Sequence, residues 1–312
     1  MSRRRIVIDT DPGQDDAIAI LLALASPELE VLGLTTVAGN VPLALTTANA
    51  LKTLELAGRG DVPVHAGAAA PLVRPAITAE AVHGSTGLDG PDLPEPTLRP
   101  RDGHAVDFLV ETLRREPEGS VTLCVLGPMT NIAMAFARAP EIVGRVAQVV
   151  AMGGAWSEGG NTTPAAEFNI HADPHAAHAV FRSGVRIVLH PLDVTHKTLT
   201  RADRVEGFRR LDTPVCRAVA EMMDFFERFD EAKYGTDGGP LHDPNVVAWL
   251  LRPEIYLGRE VNVEVETDSE LTMGQTVIDW WSVSGRPKNA TVIREVDDDA
   301  FFALLLERIG RL

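Results

Sequence analysis

Only two cysteines, Cys124 and Cys216, occur in 312 residues, too few for the disulfide framework of a small secreted scaffold. Cys124 lies in the apolar run 121–126, which reads as buried core. Long hydrophobic runs are missing too. No stretch approaches the ~20 apolar residues of a membrane span. Behind the basic start MSRRR the apolar run ends at Ile6-Val7-Ile8, short of the roughly 7–15 residues of a signal-peptide core. Positive charge is scarce: 29 Lys and Arg face 44 Asp and Glu, a net charge of −15. That balance argues against non-specific binding to nucleic acid or anionic membrane. There is no Walker-type glycine loop and no GxGxxG after a strand, so phosphate cradling is unsupported. We therefore expect a cytoplasmic protein without nucleic-acid or membrane partners.

What is present is a core. Apolar residues make up 45% of the chain and mean hydropathy is +0.02, as in a globular protein. Short apolar runs at 5–9, 31–37, 62–66, 121–126, 147–152 and 186–189 alternate with helix-like stretches at 16–25, 43–57, 104–115, 131–137 and 174–183. Near-continuous apolar strands suit a parallel sheet covered on both faces. The alternation predicts a Rossmann-like α/β fold with a mostly parallel central sheet. Helices at 201–210 and 215–233 form a C-terminal helical insertion, followed by strand patterns at 260–266 and 272–281. Residues 89–103 hold four prolines and read as a long loop. We expect a single domain over 1–312. In such a sheet, ligands bind beyond the carboxyl ends of the strands, so a true site should fall just after the runs named above.

One segment answers that test. Asp9, Asp11, Asp15 and Asp16 put four carboxylates within eight residues, directly after an apolar strand and before an apolar helix. Asp9 and Asp11 share one side by the strand period of two, Pro12-Gly13 turns the chain, and Asp15 or Asp16 opens the helix. Ionised carboxylates packed there repel by about 4 kcal/mol per pair at ~4 Å and an effective dielectric near 20. Either some protonate or a cation sits among them. Carboxylates and carbonyls without Cys or His select a hard ion such as Ca²⁺ or Mg²⁺. The plain alternative is a solvated turn with a helix N-cap. Asp9-Thr10-Asp11 also looks like the nucleophile motif of haloacid-dehalogenase-type phosphatases, although Gly13 stands where those carry Thr or Val.

The segment DTDPGQDDA at 9–17 resembles the N-terminal signature of the inosine–uridine-preferring nucleoside hydrolases. Val37-Ala38-Gly39-Asn40, the LGPMTN of 126–131, Met152-Gly153-Gly154, Glu167-Phe168-Asn169 and Leu241-His242-Asp243-Pro244 follow in that family's order. The resemblance spans nearly the whole chain. It implies hydrolysis of the N-glycosidic bond of ribonucleosides, with Ca²⁺ held by Asp11, Asp16, Asp243 and the Leu126 carbonyl. By the same resemblance Asp15, Asn169 and Asp243 hold the ribose 2′- and 3′-hydroxyls, and Asn40 supports the pocket. Asn161 and Glu167 take the 5′-hydroxyl and Met152 packs on the sugar. Asp11 is then the base that activates water, and His242 the acid for the departing nucleobase. A homodimer or homotetramer is also implied. A metal-dependent nucleoside- or sugar-binding protein without catalysis remains the alternative of another class.

Other signals are weaker. His83, heading the loop HGSTG, is a base-side candidate against an ordinary loop histidine. His171, His175 and His178 read as surface or capping residues because no Glu-x-x-His or Cys accompanies them. His190 and His196 flank a strand end without further signal. Phe225, Phe226, Phe229 and Tyr234 could stack on a base, although at helical spacing such rings are more often core. Asp230 stands where some purine-active relatives present an aromatic, and the glycine-rich run 234–241 could form a flap.

Overall fold

The computed structural model describes residues 3–234 and 237–312, the side chains of 229–234 excepted. Strand β1 (Arg4–Thr10) runs into α1 (Gln14–Leu24), and β2 (Leu29–Thr36) into α2 (Leu43–Leu56) and β3 (Val64–Ala66). The short α3 (Glu80–His83) precedes α4 (Ala105–Arg115), β4 (Val121–Val125), α5 (Thr130–Arg138) and β5 (Val146–Met152). Then come α6 (Phe168–Ala172), α7 (Pro174–Phe181), β6 (Ile187–His190) and α8 (Leu192–Thr195). The inserted helices are α9 (Ala202–Leu211), α10 (Pro214–Tyr234) and α11 (Pro244–Leu251). The chain closes with β7 (Tyr256–Val265), β8 (Thr276–Asp279), β9 (Ala290–Val296) and α12 (Asp298–Ile309). No helix among the described residues is long and apolar enough to cross a membrane.

The strands form one nine-stranded sheet in the order β3-β2-β1-β4-β5-β6-β9-β7-β8. β1 to β6 and β9 run parallel, while β7 pairs antiparallel with both β9 and β8. The expected parallel α/β sheet with added helices is therefore present. β9 and α12 were not read from the sequence, and neither were α3, α6, α8 and α11. β9 inserts between β6 and β7, so chain order and sheet order part company at that edge. The loop at 89–103 holds neither helix nor strand, as expected.

Alternation in β1 shows how the sheet serves two cores. Ile6 and Ile8 join the apolar layer built with α1, α2, α10, α11 and α12, whereas Val7 joins the layer of α4, α5 and α7. The same period carries Thr10 to the α1 side, where its hydroxyl bonds Asp16, and Asp9 to the α5 side, where it meets Asn131. Helix α1 is apolar after its first turn and buried along its whole length. It packs against α2, α10, α11 and α12, as a helix apolar all round must. Asp15 and Asp16 in its first turn are consequently buried.

Candidate active site

A cavity of about 270 Å³ opens at the carboxyl edge of the parallel strands, lined on one side by Asp15, Asn40, Leu126, Met152, Glu167, Asn169 and Asp243. Asn40 follows β2, Leu126 follows β4 and Met152 ends β5, where the rule for open α/β sheets places ligands. Asp15, Asp16 and Asp243 bring carboxylate oxygens within 4.8 Å of one another, and all three are buried. The first two sit at the N-terminus of α1, where the helix dipole favours negative charge. Asp243 is the N-cap of α11, followed by Pro244 at the first helical position. Its side chain makes no capping bond, so the carboxylate is left to face its two neighbours.

Asp11 is not one of the three side chains that meet this spacing. Its Oδ2 accepts the Asn40 N–H at 2.8 Å, while its Oδ1 is buried without a partner. A Cβ at Gly127 would stand 2.1 Å from that Oδ1, which is why the turn after β4 needs glycine. Asn40 stitches the floor together, its amide donating to the Asp11 carbonyl at 3.0 Å and to Asp16 Oδ2 at 3.2 Å. Asp16 also accepts from the Gly13 N–H at 2.9 Å. Burial pushes the carboxyls of Asp11, Asp15 and Asp243 upward, and repulsion from neighbouring aspartates, Asp16 acting on all three, adds to it. Burial likewise raises Asp16, against hydrogen bonds from Thr10 and Gly13 that pull it down. A site that forces several carboxylates toward protonation at neutral pH is one that a hard cation relieves. Three convergent carboxylates, an orphaned carboxylate oxygen and the Leu126 carbonyl fit such an ion. Among the described residues no other group of three such side chains has this spacing.

Asp9 is the exception in the acidic segment. The strand period was expected to put it beside Asp11, but its Oδ1 accepts from Thr35 at 2.6 Å and Asn131 at 2.8 Å, away from the cavity. The period of two stops at Thr10 with the strand, and Asp11 already belongs to the turn.

Around the cavity several side chains are held by the main chain. Glu167 caps α6: Oε1 accepts from the Asn169 N–H at 2.8 Å, and Oε2 from Gly154 at 2.8 Å and Ile170 at 3.2 Å. Burial nonetheless raises it to about 7. The Asn169 amide donates to the Leu126 carbonyl at 2.7 Å. Asn161 lines the opening and accepts the Phe168 N–H at 2.9 Å.

Rings on the cavity wall form a chain: His83 to Phe226 at 5.5 Å, Phe226 to His242 at 6.1 Å, and His242 to His196 at 5.9 Å between centroids. His242 Nδ1 lies 2.8 Å from Thr195 Oγ1, and burial holds its imidazole well below the usual range, with His196 and His83 adding to the effect. Phe226, one of the rings offered by the sequence as a base-stacking candidate, thus lines the cavity, and so does His196, which the sequence gave no reason to choose. Phe225, one residue away, faces outward under Arg228. Phe229, Asp230 and Tyr234 lie outside the residues whose side chains are described, as do residues 235–236 of the flap candidate. His171 and His178 bond the carbonyls of Met273 and Val265 through Nδ1, pinning the β7–β8 hairpin.

The family model described as inosine-uridine preferring nucleoside hydrolase matches residues 6–303. An uncharacterized protein of Schizosaccharomyces pombe is 57% identical, covering 99% of each chain. The pyrimidine-specific ribonucleoside hydrolase RihA of Salmonella agona is 49% identical, covering 97% of each. Among solved structures, the purine-preferring ribonucleoside hydrolase of Gardnerella vaginalis superposes with a TM-score of 0.92 at 32% identity, over 99% of this chain and 98% of that one. A plant nucleoside hydrolase gives 0.89 at 34%, over 99% of both. The phosphatase alternative is thereby set aside. With its aspartate-floored cavity at the carboxyl edge of the sheet, the chain belongs to the inosine-uridine preferring nucleoside hydrolase family, enzymes that cleave the N-glycosidic bond of nucleosides.

Proposed function

We propose that this single-domain enzyme hydrolyses pyrimidine ribonucleosides to ribose and free base, with Ca²⁺ as its metal. The observation that carries the reading is the buried trio Asp15, Asp16 and Asp243 on the cavity floor. Pyrimidine preference is supported by the 49% identity to RihA, against 32% to the purine-preferring structural relative. The cavity of about 270 Å³ also lies at the small end of ligand pockets (~300–1,000 Å³), which suits a one-ring base.

In this reading Asp11, Asp16, Asp243 and the Leu126 carbonyl hold the ion. A divalent cation bound there would acidify a water and grip two vicinal sugar hydroxyls. Asp15, Asn169 and Asp243 orient the 2′- and 3′-hydroxyls, so a deoxyribose leaves buried polar groups unpaired. Asn161 and the remaining acceptor capacity of Glu167 take the 5′-hydroxyl, Met152 packs on the sugar, and Asn40 holds the floor rigid. Asp11 accepts the proton of the attacking water. The carboxylates stabilise the positive charge that builds on the ribose as the bond breaks. His242 is the acid for the base: burial disfavours its imidazolium, so the ring takes up a proton from water as negative charge grows on the departing base and passes that proton to the leaving nitrogen. His83 stands on the base side. The reading carries with it a homodimer or homotetramer and a cytoplasmic setting, which the two buried free thiols suit.

The test is reducing-sugar release from uridine, cytidine and inosine, with added Ca²⁺ and with chelator. Uridine and cytidine should be cleaved ahead of inosine, chelator should abolish turnover, and Asp11→Ala should lower it by several orders of magnitude. Binding without sugar release would favour the non-catalytic alternative. Wild-type rates from Asp11→Ala would sink the mechanism.

A further inference from the structure

Gln14 fills the variable position of the DPGxDDA segment and is the first residue of α1. It is buried at the turn that carries the acidic floor, and its amide bonds the segment from His83 to Asp89. Its Nε2 lies 3.0 Å from the His83 carbonyl and 2.9 Å from the Asp89 carbonyl. Main-chain carbonyls only accept hydrogen bonds, so the amide atom they share is the NH₂. Turning the amide over would set its oxygen against both of them. The remaining atom, Oε1, lies 2.7 Å from His83 Nδ1. An amide oxygen only accepts, so Nδ1 carries the proton. A Cβ at Gly13 would stand 2.4 Å from that nitrogen, so the approach of the ring depends on the neighbouring glycine.

Burial pushes the His83 imidazole down to about 4. The ring is therefore neutral near pH 7 and holds one proton, the one facing Gln14. Its Nε2 is left with a bare lone pair and has no hydrogen-bond partner among the described residues. The ring lines the cavity and packs on Phe226.

We propose that Gln14 is a positioning residue that locks His83 as the Nδ1–H tautomer, so that the base end of the cavity offers a hydrogen-bond acceptor. It deepens the functional reading above and rests on it only for the identity of the ligand. The matching ligand is a nucleobase with an N–H on its outer edge: uracil through N3–H, cytosine through its exocyclic amine. A base whose N–H is methylated leaves the lone pair of Nε2 unpaired and meets a methyl group there. The specificity device is thus one buried amide that sorts donors from acceptors across the two bonds that separate Nδ1 from Nε2.

Two measurements test it independently. In protein labelled with ¹⁵N-histidine, with His83→Asn used to assign the signals, wild type should show His83 protonated at Nδ1. Gln14→Met removes both the acceptor and the donors, and should move the proton to Nε2. Gln14→Glu keeps an acceptor opposite Nδ1 while losing the N–H groups that anchor the loop, so it should keep the wild-type tautomer. A wild-type ring protonated at Nε2, or a Gln14→Met ring unchanged, overturns the proposal without reference to any activity. In kinetics, uridine should exceed 3-methyluridine in kcat/KM by about tenfold or more, and Gln14→Met should bring that ratio close to one. Equal wild-type rates on the two nucleosides would overturn the acceptor role. A wild-type enzyme that cleaves no nucleoside would instead overturn the functional reading, and the tautomer would still be decided by the spectra.

Discussion

The hydroxyl of Thr276 holds both polar groups of the Ala155 main chain, donating to its carbonyl at 2.6 Å and accepting from its N–H at 2.9 Å. Thr276 opens β8 at the antiparallel edge, and Ala155 lies in the turn after β5, beside the Gly154 N–H that binds Glu167. The last hairpin thus braces the cavity wall from 121 residues away. Thr276→Val keeps the shape but leaves a buried N–H and C=O unpaired, at about 1–3 kcal/mol each. We expect a thermal midpoint several degrees lower and a raised KM for uridine, with kcat less affected, while Thr276→Ser stays near wild type. An unchanged midpoint for the valine variant would refute the brace.

How much of this was legible beforehand follows from which interactions are local. The parallel strands and the acidic turn were, because apolar runs and turn residues act within a few positions of themselves. β9 was not: its ATVIREV pattern is short and mixed, and its place between β6 and β7 comes from pairing that skips chain order. Asp9 looked like Asp11 until Asn131, 122 residues on, claimed it. His196 carries no motif, and only the return of α11 with His242 makes it part of a wall.

Asp193 offers a second hold on the same wall. Its carboxylate accepts the N–H groups of Trp156 and Ser157, both at 2.8 Å, and so fixes the loop that carries Asn161 into the cavity. If Asn161 takes the 5′-hydroxyl, Asp193→Ala should lower kcat/KM for uridine toward the value for 5′-deoxyuridine, which should itself barely change. Equal losses on both substrates would mean that the loop does not act through that hydroxyl.

Metal and stability are linked through the same carboxylates. An ion that binds only the folded chain stabilises it by about 2.7 kcal/mol at a hundredfold excess over Kd. Calcium should therefore raise the thermal midpoint of wild type. Asp243→Asn should abolish that rise, yet in chelator be at least as stable as wild type, because one repelling buried charge is gone. A calcium response that survives Asp243→Asn would remove this residue from the ligand set.

Asp9 gives the clearest pH signature because no carboxylate figures among the causes of its shift. Burial raises it to about 7, against hydrogen bonds from Thr35 and Asn131, whereas an unfolded Asp titrates near 3.9. The folded chain binds this proton more tightly than the unfolded one. Its contribution is thus fully present below pH ~4 and is lost as pH rises through about 7. Asparagine keeps an acceptor for Thr35 and Asn131, and its NH₂ takes the place of an Oδ2 that has no partner. In chelator, Asp9→Asn should match wild type near pH 4 and exceed it by a few kcal/mol (order of magnitude) at pH 8. Glu167, at about 7, titrates in the same window, but it does so in both proteins and cancels in the difference. Parallel stability curves from pH 4 to 8 would show that Asp9 stays ionised in the fold, and with that the account of its burial would fail.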